Sequence, residues 1–95
     1  MMIHFDKVFE NGYAVYDQNE RVGFIAMKDS QTIWFIDIDM RYYDMLTKSL
    51  LHRFVQELGT YFVYILNQKD IPMDYYTDLG FEQCQEKELL RYDIY

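Results

Sequence analysis

The spacing of apolar residues changes near the middle of this chain. Two stretches, Gly12-Tyr13-Ala14-Val15-Tyr16 and Val22-Gly23-Phe24-Ile25-Ala26-Met27, are rich in β-branched and aromatic residues. The polar run Asp17-Gln18-Asn19-Glu20 between them is turn material, so the pair predicts a hairpin. A second turn at Lys28-Asp29-Ser30 leads into a strand over Thr32–Ile38, and Ile3–Phe9 adds a short edge strand ahead of the hairpin. The period then shifts. Leu46, Leu50, Phe54 and Leu58 recur every four residues and share one helical face, with Asp44 as the expected N-cap and Gly59 as the left-handed C-cap.

Residues 61–66, Tyr-Phe-Val-Tyr-Ile-Leu, show no polar alternation and predict a strand buried on both faces. A strand, a helix and a strand in this order predict a parallel pair joined by a right-handed crossover. Asp70-Ile71-Pro72 opens a short second helix, with proline in its first turn, and Gly80 ends it. Residues 81–86 are a strand or a link, and 88–95 read as a closing strand. The order β-β-β-α-β-α-β predicts a single α+β domain over residues 1–95, with a mixed antiparallel and parallel sheet and two helices.

Composition narrows what such a domain can do. Half of the 95 residues are apolar, and ten tyrosines, seven phenylalanines and one tryptophan supply bulk for a small core. A chain of this length buries only roughly 60% of its unfolded surface, so nearly every apolar residue is needed in one core. Cys84 is the only cysteine, which fits a half-buried filler in a reducing cytoplasm rather than a disulfide scaffold. His4 and His52 have no ligand-spaced partners, so no metal site is expected. The N-terminus lacks the pattern of a signal peptide, and the uncharged run at 61–66 falls far short of the roughly 20 residues of a membrane span. The expectation is a cytoplasmic protein without a membrane partner. Sixteen acidic against nine basic residues give a net charge of −7. That balance disfavours direct nucleic acid binding and suits a basic protein or a cationic amine.

Asp74-Tyr75-Tyr76-Thr77-Asp78-Leu79-Gly80-Phe81-Glu82 resembles the Phe-Tyr-x-x-x-Gly-Phe segment of the GNAT superfamily of acyl-CoA-dependent N-acyltransferases. Asn67 falls where many members carry an asparagine beside the cofactor, and the order of hairpin, strand, helix and strand matches that fold over about residues 12–95. The helices that members usually carry before the hairpin are absent. The resemblance implies acetyl-CoA as acyl donor, Tyr76 as the acid that protonates the departing thiolate, and Asp37 or Asp39 as the base for an amine. It implies cofactor contacts at the strand end, where Ile38 offers backbone, along Arg41, Tyr43, Met45, Thr47 and Lys48, and at Asn67. The family places small residues at this strand-to-helix junction so that backbone amides can wrap a pyrophosphate. Here Tyr43, Met45 and Thr47 stand at those positions, and Asp44 caps the same amides and adds like charge, so the phosphate seat reads as degraded.

Two functions remain open at this point. One is a minimal acetyltransferase acting on a cationic amine. The other is a non-catalytic binding module (an inhibitor, an adaptor or a regulatory subunit) on the same scaffold, acting through a tyrosine-rich surface or as a homodimer. Asp70, Asp74 and Asp78, followed by Glu82 and Glu86, form an acidic stripe that is either a docking face for a basic partner or a solvated helix face.

Overall fold

Alternation along the strands decides which face of the sheet is buried. The computed structural model describes residues 2–43, 49–86 and 88–94. It contains β1 (Ile3–Phe9), β2 (Gly12–Asp17), β3 (Glu20–Met27), β4 (Thr32–Ile38), helix α1 (Leu50–Leu58), β5 (Phe62–Leu66), helix α2 (Met73–Leu79), β6 (Glu82–Gln83) and β7 (Leu89–Asp93). The strands form one sheet in the order β1-β2-β3-β4-β5-β7-β6. Every neighbouring pair is antiparallel except β4 and β5, which run parallel through the crossover that carries α1.

Cross-strand partners Phe5↔Val15, Tyr13↔Ile25, Ile25↔Ile36, Ile33↔Ile65 and Ile65↔Leu90 all turn to one face. Both helices close that face. Phe54 of α1 packs its ring 5.2 Å from those of Phe5 and Tyr13, and Leu50, Leu51 and Val55 are fully buried beside it. Tyr76 and Leu79 of α2 join the same cluster. Each helix ends on a glycine in the left-handed region, Gly59 at φ 73° and Gly80 at φ 108°, as the C-cap argument expects.

The opposite face differs from expectation. Residues 61–66 do not form a strand buried on both sides: Val63 and Ile65 are buried, whereas Phe62, Tyr64 and Leu66 are half-exposed and Tyr61 is exposed. The reason is that β1 and β2 are joined directly through the turn at Glu10 and Asn11, and among the described residues no helix covers this outer face. Its aromatic rings cover one another instead. Phe9, Phe24 and Phe35 form a chain of ring contacts, and the Arg91 guanidinium lies 3.9 Å above the Phe62 ring centroid.

One helix start also differs, and the other expected start falls outside the described residues. The described part of the crossover helix begins at Leu50, after a turn at Ser49; Asp44, the expected cap, and Leu46 lie outside the described residues. In α2 proline takes the N-cap position at Pro72 rather than the first turn, and the helix proper starts at Met73.

Candidate functional site

A β-bulge creates the site. Register between β3 and β4 slips between Ala26 and Met27, with Ala26 opposite Phe35 and Met27 opposite Ile33, so Trp34 is an extra residue in β4. At that residue β4 also parts from β5. Only Thr32↔Tyr64 and Ile33↔Ile65 are paired, and beyond them the two parallel strands splay. The gap is a largely apolar cleft of about 230 Å³ lined by Trp34, Phe35, Ile36, Ile65, Gln68, Ile71, Tyr75 and Tyr76.

Backbone phase determines what β4 offers to this cleft. The Asp39 N–H donates to Val22 O at 2.8 Å, so Asp37 and Asp39 turn their backbone groups toward β3. Ile36 and Ile38 therefore turn their N–H and C=O groups the other way, into the cleft. Two cleft-facing carbonyls are capped by the chain's own side chains: Gln68 Nε2 donates to Trp34 O at 3.2 Å, and Tyr75 Oη donates to Ile36 O at 2.5 Å. Burial first, then Tyr43 and the Asp37 carboxylate, push the Tyr75 hydroxyl up to about 12.

Tyr76 forms the cleft floor and is only 1% exposed. Its hydroxyl accepts the Gln68 backbone N–H at 3.0 Å and donates to Leu66 O at 3.3 Å, a long bond for an O–H donor. The Tyr-x-x-x-Gly-Phe segment has a structural logic of its own. Gly80 ends α2 in a conformation that side chains avoid, and this turns Phe81 back into the core against the Tyr76 ring, 6.5 Å away edge to face.

The other sequence candidates scatter around the mouth. Ile38 is buried at the end of β4, with its backbone toward the cleft. Asp37 is exposed on the outer face, lining a groove with Arg21, Phe24 and Asp39, and makes no ion pair among the described residues. Asp39 caps the 3-10 turn Met40–Tyr42 by accepting the Arg41 N–H at 3.0 Å. It also pairs with Arg41 Nη2 at 2.8 Å. The Arg41 hydrogen bonds hold its carboxyl below the ordinary range, which disfavours taking up a proton. Arg41 is thereby committed to Asp39 and, at 3.8 Å, to Glu20. Tyr43 stacks on Tyr75 with centroids 6.0 Å apart. Asn67 sits at the β5 end, but its backbone N–H bonds Glu88 O on the β7 side, and its neighbour Gln68 spans the cleft. Met45, Thr47 and Lys48 lie outside the described residues.

Gln68, Ile71 and Trp34 as lining residues escape sequence reasoning, because the bulge that brings them together leaves no periodic trace. The available signal is the adjacency of Gln68 to Asn67. The acidic residues Asp70, Asp74, Asp78, Glu82 and Glu86 are all exposed, away from the cleft lining.

No family model matches the chain, and no curated protein sequence does either. Solved structures do resemble it. The N-terminal domain of the ribosomal-protein-alanine acetyltransferase from Clostridium acetobutylicum aligns over 97% of this chain and 89% of its own, at 19% identity and a TM-score of 0.57. The ribosomal-protein-S18-alanine N-acetyltransferase from Escherichia coli aligns over 87% of this chain, at 14% identity and a TM-score of 0.57. The Campylobacter jejuni N-acetyltransferase PseH, in complex with acetyl coenzyme A, aligns over 88%, at 9% identity and a TM-score of 0.57. The chain spans about two thirds of the length of these last two, 68% and 67%. At such identities the likeness is one of fold, and the chain carries the GNAT-like acetyltransferase fold.

Proposed function

We propose that the protein is an acetyl-CoA-dependent N-acetyltransferase whose acceptor is a cationic amine. The observation that supports this most is the cleft itself: a bulged β4, splayed from β5, turns the backbone of Ile36 and Ile38 toward an apolar slot edged by two tyrosines. An extended acyl-carrying chain with amide groups fits there, because the cleft-facing N–H and C=O groups are those a further strand would pair with. Acetyl-CoA supplies an activated acyl group on sulfur. The Ile36 and Ile38 N–H groups then face the position where oxyanion charge develops.

The cationic amine first gives up a proton to become a nucleophile; its nitrogen then forms a bond to the acyl carbon, the carbon–sulfur bond breaks, the nitrogen loses a second proton to solvent and the thiolate gains one. Asp37 takes the first of these protons through water, since Asp39 is tied to Arg41. Tyr76 gives its proton to the thiolate. Its bond to Leu66 O is long, and the Gln68 N–H on its oxygen stabilises the charge that is left. The net charge of −7 favours a cationic acceptor.

Calorimetric titration with acetyl-CoA tests the proposal. Binding is expected with a dissociation constant in the micromolar range, about −8 kcal/mol. Tyr75→Phe is expected to bind several-fold more tightly, because a bond of about 1 kcal/mol to Ile36 O no longer has to be displaced. No heat and no thermal shift at millimolar acetyl-CoA would exclude the enzyme and leave the non-catalytic scaffold.

A further inference from the structure

We propose that the free edge of β1 is a self-association surface, on which two copies of this chain pair their β1 strands antiparallel about a two-fold axis at Phe5. Among the described residues, strand β1 ends the sheet and is hydrogen-bonded only to β2. Its phase follows from one bond. Gln18 N–H donates to Met2 O at 3.0 Å, so Met2, His4 and Asp6 face β2 with their backbone groups, while Ile3, Phe5 and Lys7 point theirs outward. A bulge between Lys7 and Phe9 then interrupts the regular strand.

These limits select one register. Placing Phe5 opposite Phe5 of the second copy lays 3–7 of each copy on the other, so all three outward-facing residues find partners. Ile3 then pairs with Lys7 and Phe5 with Phe5, each exchanging both backbone bonds. On the outer face, His4 stands opposite Asp6 twice, in the close, non-hydrogen-bonded position where a donor and a carboxylate attract. Sliding by one step in either direction sets Asp6 against Asp6 or His4 against His4 and leaves outward groups unmatched. Charge and phase therefore agree on one alignment.

The ground beside the edge suits a second copy. An open groove of about 310 Å³ runs between β1 and α1, lined by Ile3, His4, Phe5, Arg53, Gln56 and Glu57. Arg53 and Glu57 are both exposed and stand one turn apart on α1, so a two-fold axis at the edge can set each against its opposite in the other copy.

Sedimentation velocity on the full chain, from about 1 to about 100 μM, tests this. A reversible dimer is expected, with a dissociation constant in that range. Lys7→Pro is expected to give a monomer. The lost N–H points outward, so the β1–β2 ladder is kept, and circular dichroism checks that the fold is retained. His4→Asp is expected to weaken the dimer about tenfold by facing two carboxylates, and His4→Asp combined with Asp6→His to restore it. A wild-type chain that stays monomeric at about 100 μM overturns the proposal. So does a dimer indifferent to both Lys7→Pro and His4→Asp, since its interface would lie elsewhere.

Discussion

Two adjacent tyrosines on α2 have opposite environments. Tyr76 points into the core and satisfies backbone at the end of β5, whereas Tyr75 reaches across the splay to β4. The Tyr75 hydroxyl is held up to about 12 by burial first and by nearby negative charge second, against about 10 for an unfolded tyrosine. Between those values the unfolded chain has released this proton and the folded chain keeps it. The unfolded state then binds fewer protons, so stability falls as pH rises from about 10 to about 12 and is fully present below about 10. Tyr42 and Tyr92 are raised as well, Tyr42 by its bond with Glu20 and Tyr92 by burial, and they add to the same alkaline limb. Urea unfolding at several alkaline pH values is expected to show this decline, with a shallower slope in Tyr75→Phe. An equal slope in the variant would mean that Tyr75 is solvated in the folded protein.

Elements of this chain were legible wherever one residue type dictated one conformation. Gly59 and Gly80 announced both helix ends, the Thr32–Ile38 strand matched its expected bounds, and strand, helix and strand gave the parallel pair. The cleft was not legible, because it depends on a one-residue slip that hydrophobic period does not encode. The sequence overstates the burial of 62, 64 and 66 for a related reason: apolar residues look alike in sequence whether helices or other rings cover them. A glycine in β3 belongs to the same geometry. At Gly23 an added Cβ would lie 2.6 Å from the Asp37 carbonyl oxygen of β4, a backbone atom that cannot turn aside. Gly23→Ala is therefore expected to push β4 away just beyond the bulge and to cost about 1–3 kcal/mol, the range for overpacking. Thermal unfolding checks the loss, and acetyl-CoA titration checks that the cleft loosens with it. An unchanged melting temperature would show that β4 yields there without penalty.

The described residues form a sheet with one helical layer, and the chain's only tryptophan marks the boundary between the open and closed parts. Trp34 is the bulged residue, lines the cleft, and is 54% exposed although it sits in the central strand pair. That placement separates two signals that a buried tryptophan would merge. Global unfolding removes little shielding from a ring already half in water, so its emission maximum is expected to move only slightly in urea, while circular dichroism reports a cooperative loss of the sheet. A chain laid along β4 covers the exposed ring, so acetyl-CoA is expected to shift native emission toward shorter wavelength, in proportion to calorimetric occupancy. The same titration leaves Trp34 unchanged if the ligand binds at the β1 edge or on the acidic α2 surface, both remote in sheet order or facing from the cleft mouth. A large red shift on unfolding would place the ring in the interior of the native protein and close the cleft mouth. The half-exposed tryptophan thus links the bulge, the splay and the ligand in one spectrum.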